Sequence, residues 1–226
     1  MNTLTLNRQT LCPRPSGALS VPSLGILVVS DLHLGKSDRI ARRSGTLLPP
    51  YETRDTLGRL DEDVTALRPQ TVICLGDSFD DMAAAESLSD DERLWLARLQ
   101  AGRRWIWITG NHDPLPGDLG GTYRREEHIG GLVFRHIADA SGSAEISGHY
   151  HPKAVILTRG RQISRPCFLS DADRLVMPAY GAYTGGLRWT DRALQSLFPS
   201  GGLATLTGAS CHQVPMPQGR ARQGAA

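Results

Sequence analysis

The sequence predicts an α/β fold with a substantial antiparallel part, on three observations. The first half alternates short apolar runs with amphipathic stretches and reads β-α-β-α-β. After Gly121 it turns to short strands separated by turns. The chain has 226 residues, 40% hydrophobic and 21% charged, which suits one domain with a sizeable core.

Ile26–Val29 reads as a buried strand. Tyr51–Leu67 reads as a helix, because Leu57, Leu60, Val64 and Leu67 share one face. Val72–Leu75 is the second strand. Ser89 opens another helix, with Glu92 three residues on completing a capping box and Leu94, Trp95 and Leu99 as apolar contacts. Trp105–Ile108 is the third strand. The second half offers Leu132–Arg135, Ala144–Ile146, Val155–Leu157, Cys167–Leu169 and Arg174–Met177, the last two joined by a hairpin turn at Ser170–Asp173. Residues 1–214 read as a single domain. Residues 215–226, with Met216 their only large apolar side chain, read as a disordered tail.

Ordinary hydrophobicity and charge exclude wholesale disorder, and the apolar runs are too short to span a bilayer. Met1 leads into polar residues rather than a signal peptide, so the expectation is a soluble, cytoplasmic chain without a membrane partner. Cys12, Cys74, Cys167 and Cys211 form no C-x-x-C pair, which argues against a disulfide framework or a cysteine zinc site. Net charge is +2 but unevenly spread: 16 Lys+Arg face 20 Asp+Glu up to residue 150, and 9 face 3 from Lys153 onward. That distribution gives weak support to a polyanionic partner, a solvated basic surface being the plainer reading.

The residues that follow the strands carry the chemistry. The first strand runs into Ser30-Asp31-Leu32-His33, the second into Gly76-Asp77-Ser78-Phe79-Asp80, and the third into Gly110-Asn111-His112-Asp113. Leu132–Arg135 runs into His136, and Ala144–Ile146 leads to Gly148-His149-Tyr150-His151. Strand ends converge on one edge of a sheet, where ligands bind in open α/β folds. In an extended segment Asp31 and His33 point to the same side, and so do His149 and His151. Each motif alone has a dull alternative: a turn, or a hydrogen-bonded histidine. Together, five of the seven histidines fall in such motifs, in an ordered series. Asp31, His33, Asp77, Asn111, His136, His149 and His151 are enough ligands for two cations, with Asp77 the natural shared carboxylate. Oxygen and nitrogen donors without thiolate suit Mn²⁺, Fe or Zn²⁺. Two cations about 3.5–4 Å apart activate a water and stabilise displacement at phosphorus.

The five blocks Asp31-x-His33, Gly76-Asp77-x-x-Asp80, Gly110-Asn111-His112-Asp113, His136 and Gly148-His149-x-His151 resemble the calcineurin-like metallophosphoesterase superfamily. The resemblance implies a four-layer α/β/β/α sandwich with two mixed sheets and the metals at its loop edge. Further segments are similar to the ligase-associated DNA damage response endonuclease family (PdeM/MPE): Asp31-Leu-His-Leu-Gly-Lys36, Arg43-Ser-Gly-Thr-Leu-Leu-Pro-Pro-Tyr-Glu-Thr53 and Met177-Pro-Ala-Tyr-Gly-Ala-Tyr-Thr-Gly-Gly186. That likeness implies a phosphodiesterase and DNA endonuclease of bacterial DNA repair, with two divalent ions, Mn²⁺ foremost, and hydrolysis by metal-activated hydroxide. It also implies single-stranded or gapped DNA as substrate, and functional association with an ATP-dependent DNA ligase, an exonuclease and an Lhr-type helicase.

Carried onto this chain, the pattern puts one metal on Asp31, His33, Asp77 and His151, and the other on Asp77, Asn111, His136 and His149. His128, the rival to His136, is expected on a polar turn. His112 would contact the scissile phosphate and assist the leaving oxygen, oriented by Asp80 or Asp113. Lys36, Arg42 and Arg43 could bind flanking phosphates or form a solvated basic loop. Tyr180 and Tyr183 could stack on bases, packing being the plainer role. Rival functions are a small-molecule or cyclic-nucleotide phosphodiesterase, a nucleotide-pyrophosphate hydrolase, a phosphomonoesterase, and a non-catalytic scaffold. A scaffold would tend to lose ligands, and none is missing here. No groove-reading helix is visible, so little sequence specificity is expected.

Overall fold

A computed structural model describes residues 2–46, 51–111, 119–158 and 160–217. The chain begins with three short strands, β1 (Leu4–Leu6), β2 (Gln9–Pro13) and β3 (Leu19–Val21). It then alternates through β4 (Ile26–Val29), α1 (Lys36–Ser44), α2 (Glu52–Leu67), β5 (Thr71–Leu75), α3 (Met82–Glu86), α4 (Asp90–Gln100) and β6 (Arg104–Ile108). The second half holds β7 (Thr122–Arg124), β8 (Glu126–Ile129), β9 (Leu132–Arg135), β10 (Glu145–Ser147), β11 (Lys153–Thr158), β12 (Arg161–Ser170) and β13 (Arg174–Val176). It closes with α5 (Arg192–Leu197), β14 (Leu203–Leu206) and β15 (His212–Pro215).

Among the described residues the strands form two mixed sheets. The first runs in order from β1 to β7, antiparallel up to β4 and parallel from β4 onward. The second runs β15-β14-β12-β13-β10-β9-β8, with β11 paired to β12. Strand alternation divides the core into layers. Leu27, Val29, Val72, Cys74, Trp105 and Trp107 turn one face of the first sheet to Leu57, Leu60 and Val64 of α2 and Leu96 and Leu99 of α4. The intervening residues Ile26, Val28, Ile73, Leu75, Ile106 and Ile108 pack against Leu132, Phe134, Ile146, Phe168 and Leu175 of the second sheet. The outer face of that sheet packs Cys167, Leu169 and Val176 against Leu194 and Leu197 of α5. This is the expected α/β/β/α sandwich.

Trp107 is the largest fully buried side chain, touching Phe79, Trp105 and Tyr123 and donating its indole N–H to the Gly120 carbonyl at 3.0 Å. Trp107→Ala should lower unfolding free energy by about 3–5 kcal/mol, the cost of truncating a packed aromatic. Urea unfolding would show it as a lower midpoint at unchanged slope.

Three local expectations need correction. The capping box is present and α4 forms, but Leu94 is 71% exposed, because the buried face falls on Leu96 and Leu99. The supposed basic loop after His33 is α1, whose Ser37 N–H and hydroxyl are both held by buried Glu52. The tail does not start at 215: Pro215 closes β15, and Met216 is buried, with its N–H on the Gly202 carbonyl at 2.8 Å. Residues 218–226 lie outside the described residues. No described helix is long and apolar enough to cross a membrane.

Candidate metal centre

The loops that leave β4 and β5 run side by side, sutured by their backbones. Asp31 N–H donates to Gly76 O, His33 N–H to Asp77 O and Leu34 N–H to Ser78 O. The loops after β9 and β10 are joined likewise by Gly148 N–H to His136 O, at 3.0 Å. Both sheets therefore deliver their ligand-bearing loops to one edge.

Two clusters form there: Asp31, His33 and His151, and Asp77, His136 and His149. Within each, the candidate ligand atoms lie within 4.8 Å of one another. His136 Nδ1 is 3.9 Å from Asp31 Oδ1, so the clusters are neighbours. Asn111 joins the second, its amide nitrogen 3.3 Å from His149 Nδ1. Thus the structure brings together all seven proposed ligands. His112 and Asp113 lie outside the described residues.

Backbone conformation here is unusual. Asp31, His33, Asp77, His149 and His151 all have φ between 43° and 71°, a region costly for residues with a Cβ. Such strain persists only where surrounding structure imposes it, and it gathers at functional sites. It also corrects the alternation argument. These residues are not extended, and His149 and His151 go to different clusters.

Hydrogen bonds leave particular atoms for ligation. Asp31 Oδ2 accepts from the Ser30 hydroxyl and from His149 N–H, so Oδ1 is the oxygen turned to His151 Nε2, at 3.1 Å. Both of those atoms are buried, and among the described residues neither makes a hydrogen bond. His136 Nδ1 faces the Leu75 carbonyl at 3.0 Å, which directs Nε2 toward Asp77 Oδ2 at 3.5 Å and His149 Nδ1 at 3.2 Å. Burial alone would lower the His136 pKa, but Asp77, Asp31 and the Leu75 carbonyl hold it above the usual histidine value. Burial and the neighbouring His136 push the His149 pKa down. Buried carboxylates and imidazoles aimed at one another, without thiolate, fit hard or borderline divalent cations.

Asp80 supports the first cluster. Its Oδ1 is 2.8 Å from His33 Nδ1, its Oδ2 accepts from Arg39 at 2.7 Å, and Lys36 lies 3.9 Å away. Burial favours its neutral form, yet His33, Arg39 and Lys36 outweigh that and hold the carboxyl well below the usual range. Among the described residues Asp80, proposed from sequence to orient His112, holds His33. Asp80→Asn should weaken metal binding about 10- to 100-fold, the scale for losing a ligand's hydrogen-bonded carboxylate. A chelator-competition titration would measure it, and an unchanged affinity would remove Asp80 from this role.

The basic residues are redistributed too. Lys36 and Arg39 face Asp80, and Arg42 pairs with Asp81 at 2.7 Å, while Arg43 is exposed. Arg39 was missed in the sequence, although it lies one helical turn from both Lys36 and Arg42. His128 lies on β8 rather than a turn, exposed and bonded to Glu126 at 3.0 Å. Tyr180 is buried, its hydroxyl donating to Asp63 at 3.0 Å, whereas Tyr183 is 50% exposed.

A sequence model described as calcineurin-like phosphoesterase matches residues 24–201, and so covers most of the fold and every ligand. The chain belongs to the calcineurin-like phosphoesterase family. Among solved structures this phosphoesterase is similar to nuclease MPE of Pseudomonas putida, with TM-score 0.74 and 26% sequence identity over 94% of this chain and 99% of that one. Yfce, a phosphoesterase from E. coli, matches at TM-score 0.41 and 11% identity, over 85% of this chain and 99% of that one. No match is found among the curated proteins. The phosphoesterase is a metal-dependent hydrolase with two candidate cation sites.

Membership also explains two motif glycines of this phosphoesterase. A Cβ on Gly110 would overlap the backbone nitrogen and Oδ1 of Asp77, and one on Gly148 would overlap the Ser30 hydroxyl beside Asp31. Only glycine lets the Asn111 and His149 loops approach the carboxylates this closely.

Proposed function

We propose that this phosphoesterase is a manganese-dependent phosphodiesterase that acts as a DNA endonuclease in bacterial DNA repair. The observation that carries the reading is the pairing of two partly buried nitrogen-and-oxygen clusters at one sheet edge, in a chain that shares its fold with a nuclease over nearly its whole length. In this reading it works in the cytoplasm on single-stranded or gapped DNA, alongside an ATP-dependent DNA ligase, an exonuclease and an Lhr-type helicase.

Asp31, His33, Asp77 and His151 would hold one divalent cation, and Asp77, Asn111, His136 and His149 the other. When bound, the two ions neutralise charge on a phosphodiester and lower the pKa of a water. The chain's own groups do the rest. Asp80 fixes the ring of His33 through Nδ1, and the Leu75 carbonyl fixes that of His136. The suturing of Asp31 and His33 to Gly76 and Asp77 keeps two ligand loops in register, so positioning needs little rearrangement. His112 contacts the scissile phosphate and delivers a proton to the departing oxygen.

Metal-stripped protein incubated with circular single-stranded DNA should linearise the circle only when Mn²⁺ is restored, because a circle offers no end to an exonuclease. An untouched circle beside continued cleavage of a small diester would retain the phosphodiesterase and reject the nuclease.

A further inference from the structure

Two features beside the metal edge have no part in the site described so far. The first is the loop of Tyr183. Its left-handed φ of 56° is costly for an aromatic residue, yet the side chain stays 50% exposed. The loop is clamped to metal-site backbone at both ends. Gly181 N–H donates to the Asp31 carbonyl at 3.1 Å, and a Cβ on Gly186 would overlap the carbonyl of His151. Ala182 N–H is held by Thr56, and Lys153 Nζ donates to the Thr184 carbonyl at 3.1 Å. A half-exposed aromatic ring is thus carried on a loop whose ends are fastened to the backbone of Asp31 and His151.

The second feature is the ribbon of β11 and β12, which leaves His151 through Pro152. β10 and β13 run parallel and end at the metal edge, and β12 runs antiparallel to β13, pairing with it only at Leu169 and Ser170. Arg161–Pro166 pair with β11 from Thr158 back to Lys153. The ribbon therefore runs on beyond the ends of β10 and β13 for about 17 Å of strand, five steps at the strand rise, its root packed through Ala154 and Ile156 on the layer of α5. Arg161 and Arg165 share one of its faces, both exposed, and among the described residues neither makes an ion pair or a side-chain hydrogen bond. Leu157, 77% exposed, lies on the other face. No acidic residue occurs between His151 and Ser170. The ribbon's root is tied to the Tyr183 loop: Lys153 N–H donates to Leu187 O, and Trp189 N–H to Lys153 O.

We infer that the Tyr183 loop and the ribbon form a binding surface for a single nucleic-acid strand on one side of the metal centre. Tyr183 stacks on a base near the scissile phosphate, and Arg161 and Arg165 contact phosphates farther along. Exposed aromatics give a strand sequence-tolerant stacking, and unpaired cations give it salt-dependent affinity. The inference rests on the nuclease reading and adds the features that would distinguish a long strand from a small diester.

The test uses the full chain, metal-stripped for binding and Mn²⁺-loaded for turnover. Anisotropy of a fluorescent single-stranded oligonucleotide, titrated at several salt concentrations, should show about tenfold weaker binding for Tyr183→Ala. Tyr183→Phe should restore it, since the ring is kept. Alanine has the same positive-φ penalty as tyrosine, so the backbone is equally strained in both. Arg161→Ala combined with Arg165→Ala should flatten the plot of log affinity against log salt by about 1.4, two phosphate contacts on a single strand. Turnover of bis-p-nitrophenyl phosphate should be unchanged in all variants. Wild-type DNA affinity and salt slope in the variants would overturn the inference while leaving the nuclease intact. A wild-type protein that turns over the small diester but neither binds nor cuts DNA would overturn both. Binding to anionic vesicles in place of the oligonucleotide would also overturn it.

Discussion

Asp77→Ala is expected to leave the fold standing and to lose both cations together with at least about 10³-fold of phosphodiesterase activity, the scale set by removing charge stabilisation from a water-activating site. Its carboxylate is the one assigned to both cations, and His136 Nε2 lies 3.5 Å from it. Without it, among the described residues, His136 keeps the more distant Asp31 as a carboxylate partner, at 3.9 Å. Metal content after chelation and repletion, read beside turnover and thermal unfolding, separates this outcome from simple misfolding. A variant that still takes up two ions per chain would show that Asp77 is not shared.

His112→Ala should behave in the opposite way with respect to metal. It should bind both ions with unchanged affinity and lose about 10²- to 10⁴-fold in turnover, the range for a general acid acting on a leaving group. The loss should shrink for diesters whose leaving group is already acidic, since such a group departs without a proton. Equal losses for good and poor leaving groups would assign His112 to phosphate binding instead. Reduced metal content would place it among the ligands.

Much of the fold was legible because its local and tertiary signals agree. β4, β5 and β6 are short runs buried on both faces, and no polar alternation blurs them. α2 carries its apolar stripe at helical spacing, and α4 announces its start through Ser89 and Glu92. The first three strands carry weaker signals. β1 and β3 have three residues each, and the β1–β2 turn is made by Asn7 and Arg8, both at positive φ, with no glycine to mark it. α1 hides for another reason: its face is charged, and its order comes from Glu52, fifteen residues downstream of Ser37.

The candidate ligand set was legible because ligation demands particular atoms. Only carboxylate, imidazole and amide groups serve, and five such blocks in one order leave few other readings. What those side chains do was less so. Asp80 could orient any nearby histidine, and its contact with His33, beside Arg39 and Lys36 of α1, is a tertiary one. His149 and His151 separate into two clusters because their backbones are left-handed, a conformation that sequence spacing does not express. Tyr180 and Tyr183 stand three residues apart in one glycine-rich segment. One is buried over α2 with its hydroxyl on Asp63, and the other faces solvent.

By itself, then, the sequence determined the layered α/β architecture, the candidate donor residues and the class of chemistry, because periodicity and donor type are local properties of the chain. The tertiary structure alone decided which histidine joins which cluster, which carboxylate supports a candidate ligand, and which of the ribbon's cations make no ion pair among the described residues. Those depend on contacts between segments remote in sequence, such as Asp31 with the His149 N–H, and no local pattern encodes the partner that a buried polar atom will meet.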